Sequence, residues 1–162
     1  MLSLKNLGFI HTTDINKLSK KKLLSLQASL RSRIEEGDFN IMRAISLLAS
    51  IIKIDHAITL LESESISALN QYLGKIWEQA KTSKVKAIKS LVSDFNVRVA
   101  YKLAKEAEEK NIENPKIEYL KRICNKIISK KKDAKILIFT EYRSNIKQII
   151  SKLSDFSEKP AY

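Results

Sequence analysis

Residues 39–61 read FNIMRAISLLASIIKIDHAITLL, and their spacing decides what kind of fold this chain can have. Two stripes run through the stretch, Ala44-Leu47-Ile51-Ile54-Ile58-Leu61 and Ile41-Ile45-Leu48-Ile52. Each advances three or four residues at a time, the period of one face of an α-helix. The stripes lie on adjoining flanks, so the helix is apolar around most of its circumference, and such a helix is expected at the buried centre of a bundle.

The segments on either side supply its neighbours. After the turn-like Thr12-Thr13-Asp14, Leu23, Leu26, Leu30 and Ile34 predict one amphipathic helix, stopped by Gly37. Beyond Glu64-Ser65 a further helix is expected, with Ile66, Leu69, Leu73, Ile76 and Ala80 inward and Tyr72 and Trp77 flanking the stripe. Residues 81–98, KTSKVKAIKSLVSDFNVR, then crowd Lys81, Lys84, Lys86 and Lys89 into a loop and a short helical stretch bearing Val85, Ile88 and Leu91. No acid stands between Lys81 and Lys89. A helix from about Asn96 to Lys110 places Val97, Ala100, Tyr101, Ala104 and Ala107 inward and Arg98, Lys102 and Lys105 outward. Asn114-Pro115, a capping residue with proline at the first helical position, opens another helix. It carries Ile117, Leu120, Cys124 and Ile127 on one side and Arg122, Lys126 and Lys130 on another.

Composition agrees with an all-helical reading. Gly and Pro together fill 5 of 162 positions, about 3% against the roughly 12% usual in globular proteins, which excludes a turn-rich β-sandwich or barrel. The 44% hydrophobic fraction suffices for a core. Cys124 has no partner for a disulfide, and with only His11 and His56 beside it no zinc site is recognisable. Cys124 falls in an apolar stripe and reads as packing, not as a nucleophile; His56 continues the second stripe of residues 39–61 and reads as a core-edge residue. The first twenty residues lack the layout of a signal peptide, and unbroken apolar runs are short. A soluble, cytoplasmic protein without a membrane partner is expected.

The net charge is +12, and it is uneven: residues 1–64 carry net +2 and residues 65–162 net +10. An excess of that kind raises encounter rates with polyanions, so nucleic acid is the first partner to consider. A merely solvated basic helical face is the main alternative, and an anionic membrane surface a lesser one.

The pattern changes near residue 134. Lys135-Ile136-Leu137-Ile138-Phe139-Thr140 is a continuous apolar run with polar flanks, as in a strand covered on both faces by helices. Ser144 is expected to cap a helix using Ile146, Ile149, Ile150, Leu153 and Phe156. This makes one β-α unit, and apart from the short Leu7–Ile10 stretch the sequence offers no companion strand. Residues 134–162 are therefore expected to begin a second domain after a first domain at 1–133.

The order of these pieces, a helical insert followed by ENPKIEYLKRICNKIISKKKDAKILIFTEYRSNIKQII, resembles the archaeal Hef helicases and their eukaryotic relatives of the Fanconi anaemia M group, within superfamily 2. The resemblance covers roughly residues 40–155. It implies a mainly α fold, a thumb-like helical bundle inserted between two RecA-like motor domains, followed by an orphan β-α unit of the second motor domain. Ile136–Arg143 would be that domain's motif IV, in which Thr140 and Arg143 approach the backbone of one strand. The sequence has no GxxxxGK[ST] phosphate loop, no Asp-Glu-x-His box and no arginine-rich motif VI. No cofactor is expected in this chain, ATP and magnesium belonging only to the intact parent helicase.

The reading that follows is a DNA-contacting insert of a helicase acting on branched or forked DNA, in fork repair. Phosphate contact needs charge and little geometry, and the candidates for it are Lys81, Lys84, Lys86, Lys89, Arg98, Lys102, Arg122 and Lys126. Two alternatives stay open. The bundle could be a protein-interaction or interdomain spacer module, or it could bind structured RNA, since the innate-immunity RNA helicases carry a related insert.

Overall fold

The structure, a computed structural model, describes residues 1–14, 17–34, 38–112, 114–140 and 143–154, with side chains in the last stretch described at 146 and 149–154. Eight helices follow one another among them: α1 (Leu2–Asn6), α2 (Lys20–Ser32), α3 (Phe39–Ser63), α4 (Ile66–Thr82), α5 (Lys86–Ser93), α6 (Phe95–Glu109), α7 (Pro115–Lys130) and α8 (Arg143–Leu153). The starts of α3, α4, α6 and α7 are chemically marked. Asp38 accepts from the Ile41 amide at 3.0 Å, Ser65 from Ala68 at 3.1 Å and Asn114 from Lys116 at 3.0 Å. A single oxygen of Asp94 accepts from both Asn96 and Val97. Each cap satisfies amides that have no partner within their helix. At the other end of α6, Asn111 turns the chain with φ of 51°, a left-handed conformation that asparagine tolerates.

α3 is the spine. Its 25 residues span about 37 Å at 1.5 Å each, and two separate cores form along it. Leu23 and Leu30 of α2 meet Ile41, Ala44 and Leu48 in the first, closed underneath by Leu4 and Ile10. Leu69, Leu73 and Ile76 of α4 meet Ile88 of α5 and Ala104 of α6 in the second, with Ala57 of α3 against them. Side chains then tie helix to backbone. Gln27 Nε2 donates to the Ile45 carbonyl at 3.3 Å, Ser50 Oγ to Ala87 at 3.4 Å and the Tyr72 hydroxyl to Lys53 at 3.3 Å. Asn70 Nδ2 donates to the Ala104 carbonyl at 2.9 Å and to a Glu108 carboxylate oxygen. The ring of His56 packs edge-on against Tyr72 at 4.7 Å, in agreement with a core-edge role.

Several expectations need correction. α3 is not buried on all sides: Leu48 has no exposed surface, but Ile54 is 40% exposed and Ile58 and Leu61 lie open beside it. The apolar circumference exceeds what α2, α4 and α5 can cover. α3 is also long and apolar enough to cross a membrane by length and composition, although Lys53 and Asp55 interrupt its middle. Leu7–Ile10 is no strand; it is the turn closing α1, made by Gly8 at φ of 77°, and it delivers Ile10 to the first core. Ala100 is exposed instead of inward, and so in part is Ile127.

No strand ladder forms among the described residues. The run 134–140 is open chain, with Leu137 84% and Phe139 92% exposed, because a strand needs a neighbour to pair with and none is present there. α8 begins at Arg143, so Ser144 lies within the helix. Gly37, Glu141, Tyr142, Phe156 and the Arg143 side chain lie outside the described residues.

Candidate nucleic-acid interface

α5 turns Ala87, Ile88 and Leu91 into the bundle against α3 and α4. With that face fixed, Lys86 and Lys89, one turn apart, must point to solvent, and Lys84 stands exposed in the linker before them. Asp94 ends α5 and caps α6 in the same residue. The two helices therefore follow one another through a single residue and pack against each other. On α6, Arg98 and Lys102, four residues apart, share one outward face.

Lys81 differs from its prediction. It belongs to the last turn of α4, not to a loop, and its ammonium meets both carboxylate oxygens of Glu78, the nearer at 2.7 Å. Lys102 pairs with Glu106 at 3.7 Å and Arg122 with Glu118 at 2.7 Å. All three pairs are solvent-exposed and lie along their own helix, so each contributes only about 0.3–0.5 kcal/mol. An arriving phosphate can replace such a partner. Lys84, Lys86, Lys89, Arg98 and Lys126 form no ion pair among the described residues.

Lys84, Lys86, Lys89, Arg98 and Lys102 are thus all exposed along the α5–α6 corner segment, with Lys81 at the end of the preceding helix. Arg122 and Lys126 stand apart on α7, whose main neighbour is α8. α7 is fastened to the end of α3, where Asn114 Nδ2 donates to the Glu64 carbonyl at 3.1 Å and the Lys116 ammonium to that of Glu62. Thr140 is half-buried in the open run before α8. Trp77 is half-buried as well, its ring 4.6 Å from that of Tyr101. The Lys105 ammonium covers the Tyr101 ring at 4.5 Å, a cation–π contact.

One group at the corner was not anticipated. Phe95, Val99 and Leu103 form an exposed apolar row on α6 beside the Arg98 and Lys102 row. Their positions were legible in principle, since Phe95 lies nine residues from the buried Ala104, about 180° around a helix of 3.6 residues per turn.

Residues 1–111 match the protein family described as "Putative ATP-dependent RNA helicase, helical bundle". The chain belongs to this helicase family. Over 151 residues it is 31% identical to a "Putative ATP-dependent RNA helicase" of Methanocaldococcus jannaschii, an alignment covering 93% of this chain and 18% of that protein. The crystal structure of the Pyrococcus furiosus Hef helicase domain superposes with a TM-score of 0.80 at 31% identity, over 94% of this chain and 32% of that one. The chain therefore spans well under two thirds of either relative. Within this helicase family it corresponds to the helical insert of a superfamily 2 enzyme, and its resemblance to the Hef group, first read from residues 40–155, holds across the fold.

Proposed function

We propose that this chain is the nucleic-acid-contacting insert of a superfamily 2 helicase acting on branched or forked DNA, and that it grips the phosphate backbone without performing chemistry. The observation that carries the reading is the α5–α6 segment, along which Lys84, Lys86, Lys89 and Arg98 are exposed without acidic partners among the described residues, followed by Lys102. Charges so placed neutralise phosphates along a strand and read no base edge, so the preference they impart is for the path of the backbone. Residues 1–133 would form the insert and 134–162 the opening of a second RecA-like domain, in which Thr140 and Arg143 approach one strand. The motor domains of a cytoplasmic parent helicase would then be the protein partners, and ATP and magnesium would bind there.

A second reading is favoured by one specific observation. The matching family and the Methanocaldococcus relative both bear the words RNA helicase, which supports structured RNA as the ligand of the same corner. Competition among forked DNA, linear duplex, single strand and double-stranded RNA, at two salt concentrations, separates the readings. Preferential capture of the fork is the expected result. Preference for double-stranded RNA would move the assignment to RNA, and no binding to any of the four would leave the bundle an interdomain spacer.

A further inference from the structure

Phosphate contact leaves the exposed apolar row of α6 unexplained, and Phe95 heads it. Phe95 is the first residue of α6 and is 75% exposed. Its position is set by the cap: Asp94 accepts from two amides of the first turn, which fixes the start of the helix and presents position 95 opposite the buried Ala104. Lys86 and Lys89 precede it on α5, and Arg98 follows within one turn.

We propose that Phe95 is a stacking platform for an unpaired base, or for the last base pair beside a branch, while Arg98 and the lysines of α5 hold the adjoining phosphates. The proposal rests on the nucleic-acid reading above and adds to it the reason why a branch is preferred. A continuous duplex hides its base faces; a fork exposes them where the strands part. Every base presents a flat apolar face, so stacking on an aromatic ring tolerates any sequence. Charge decides the occupant. Arg98, one turn on along α6, is exposed on the neighbouring face, and the carboxylate next in sequence, Asp94, is engaged with backbone amides of its own helix. A polyanion bearing flat apolar faces matches that surface. Its nearest rival is an acidic amphipathic helix lying along Phe95, Val99 and Leu103.

The test uses the full 162-residue chain with two probes, a fork carrying 2-aminopurine at its branch point and a blunt duplex of equal length. Variants are Phe95→Ala, Phe95→Leu and Leu103→Ala. Phe95→Ala is expected to weaken fork binding about 5- to 140-fold, the range for loss of one stacked base. Blunt-duplex affinity should change less than about twofold, and the salt dependence should stay parental because no phosphate contact is lost. Phe95→Leu, apolar but without a ring, should fail to restore binding. The parent should quench 2-aminopurine, and the Ala variant should not. This quenching is read on the unaltered protein, so the proposal stays testable even if a variant folds poorly.

Parental fork affinity in Phe95→Ala would overturn the proposal. Full rescue by Leu, together with an equal loss in Leu103→Ala, would also overturn it and point to the helix-binding groove. If the parent itself bound neither probe, the nucleic-acid reading would fall as well; if it bound both with steep salt dependence and Phe95→Ala changed nothing, only the stacking role would fall.

Discussion

Leu48 and Ile54 sit six residues apart on α3, and the sequence treats them alike, yet truncating them should have very different consequences. Leu48 has no exposed surface and lies among Leu23, Leu30 and Ala44 in the first core. Cutting it to alanine removes three carbons and leaves a cavity walled by α2 and α3, a change that costs about 3 kcal/mol within the usual 2–5 kcal/mol range. For a chain of this size that lowers Tm by about 6–12 °C. Ile54 is 40% exposed, so its truncation opens no closed cavity, and alanine recovers about 0.4 kcal/mol of helix propensity. The net cost should be at most about 1 kcal/mol, or about 2–4 °C. Even Ile54→Asp should be mild, since the carboxylate keeps water around it instead of entering an apolar interior. Thermal melts followed by circular dichroism at 222 nm, checked by urea titration, measure both. Equal losses at the two positions would refute the reasoning, because they would mean that the outer stripe of α3 is covered.

Three further outcomes follow from the packing. Burial raises the Tyr72 pKa above its ordinary value of 10.0; the folded state then holds that proton more tightly than the unfolded one, so stability is full below about pH 10 and declines as pH climbs through the raised value. Urea titrations from pH 8 to 11 should show the decline in the parent and lose much of it in Tyr72→Phe, which also forfeits the bond to the Lys53 carbonyl, about 1 kcal/mol. Asn70→Ala removes the donor that joins α4 to the Ala104 carbonyl and Glu108 and should cost about 1–3 kcal/mol in the same assay. Glu78→Gln releases Lys81 from its partner and should strengthen fork binding about twofold at low salt, with no effect on melting, since the pair it breaks is worth under about 0.5 kcal/mol.

Much of the helical layout could be read from local chemistry. Ser65 and Asn114-Pro115 announce helix starts because capping depends on residues two or three apart, and most of the inward faces of α2, α4 and α5 follow from three- and four-residue spacing, although Ile34 and Val85 fall outside their helices and are exposed. What escaped was decided between elements. The sequence shows that α3 is apolar all round, but which flanks are covered depends on where α2, α4 and α5 land, and Ile54 and Ile58 fall in the uncovered sector. Gln27 and Asn70 are buried because carbonyls and, for Asn70, the Glu108 carboxylate on neighbouring helices await them, which no local pattern reveals. The run at 135–140 has strand composition, yet strands exist only in pairs. At the candidate interface the α5 lysines were legible because their opposite face is so clearly apolar. Lys81 was misplaced because its partner, Glu78, stands just before the stretch that looked free of acids. Phe95 went unnoticed because phenylalanine is ordinarily a core residue, and only its position opposite Ala104 reveals that it faces water.

The most direct test of the central claim is the salt dependence of fork binding by the parent chain and by the triple variant Lys84→Gln, Lys86→Gln, Lys89→Gln, whose apolar face is untouched. If about four to six phosphates are neutralised, log affinity should fall against log salt with a slope of about −4 to −5. Removing three contacts should reduce that slope by about three, equally for forks of different sequence. A triple variant with parental affinity and parental slope would contradict the account, and the corner would then be an ordinary solvated surface.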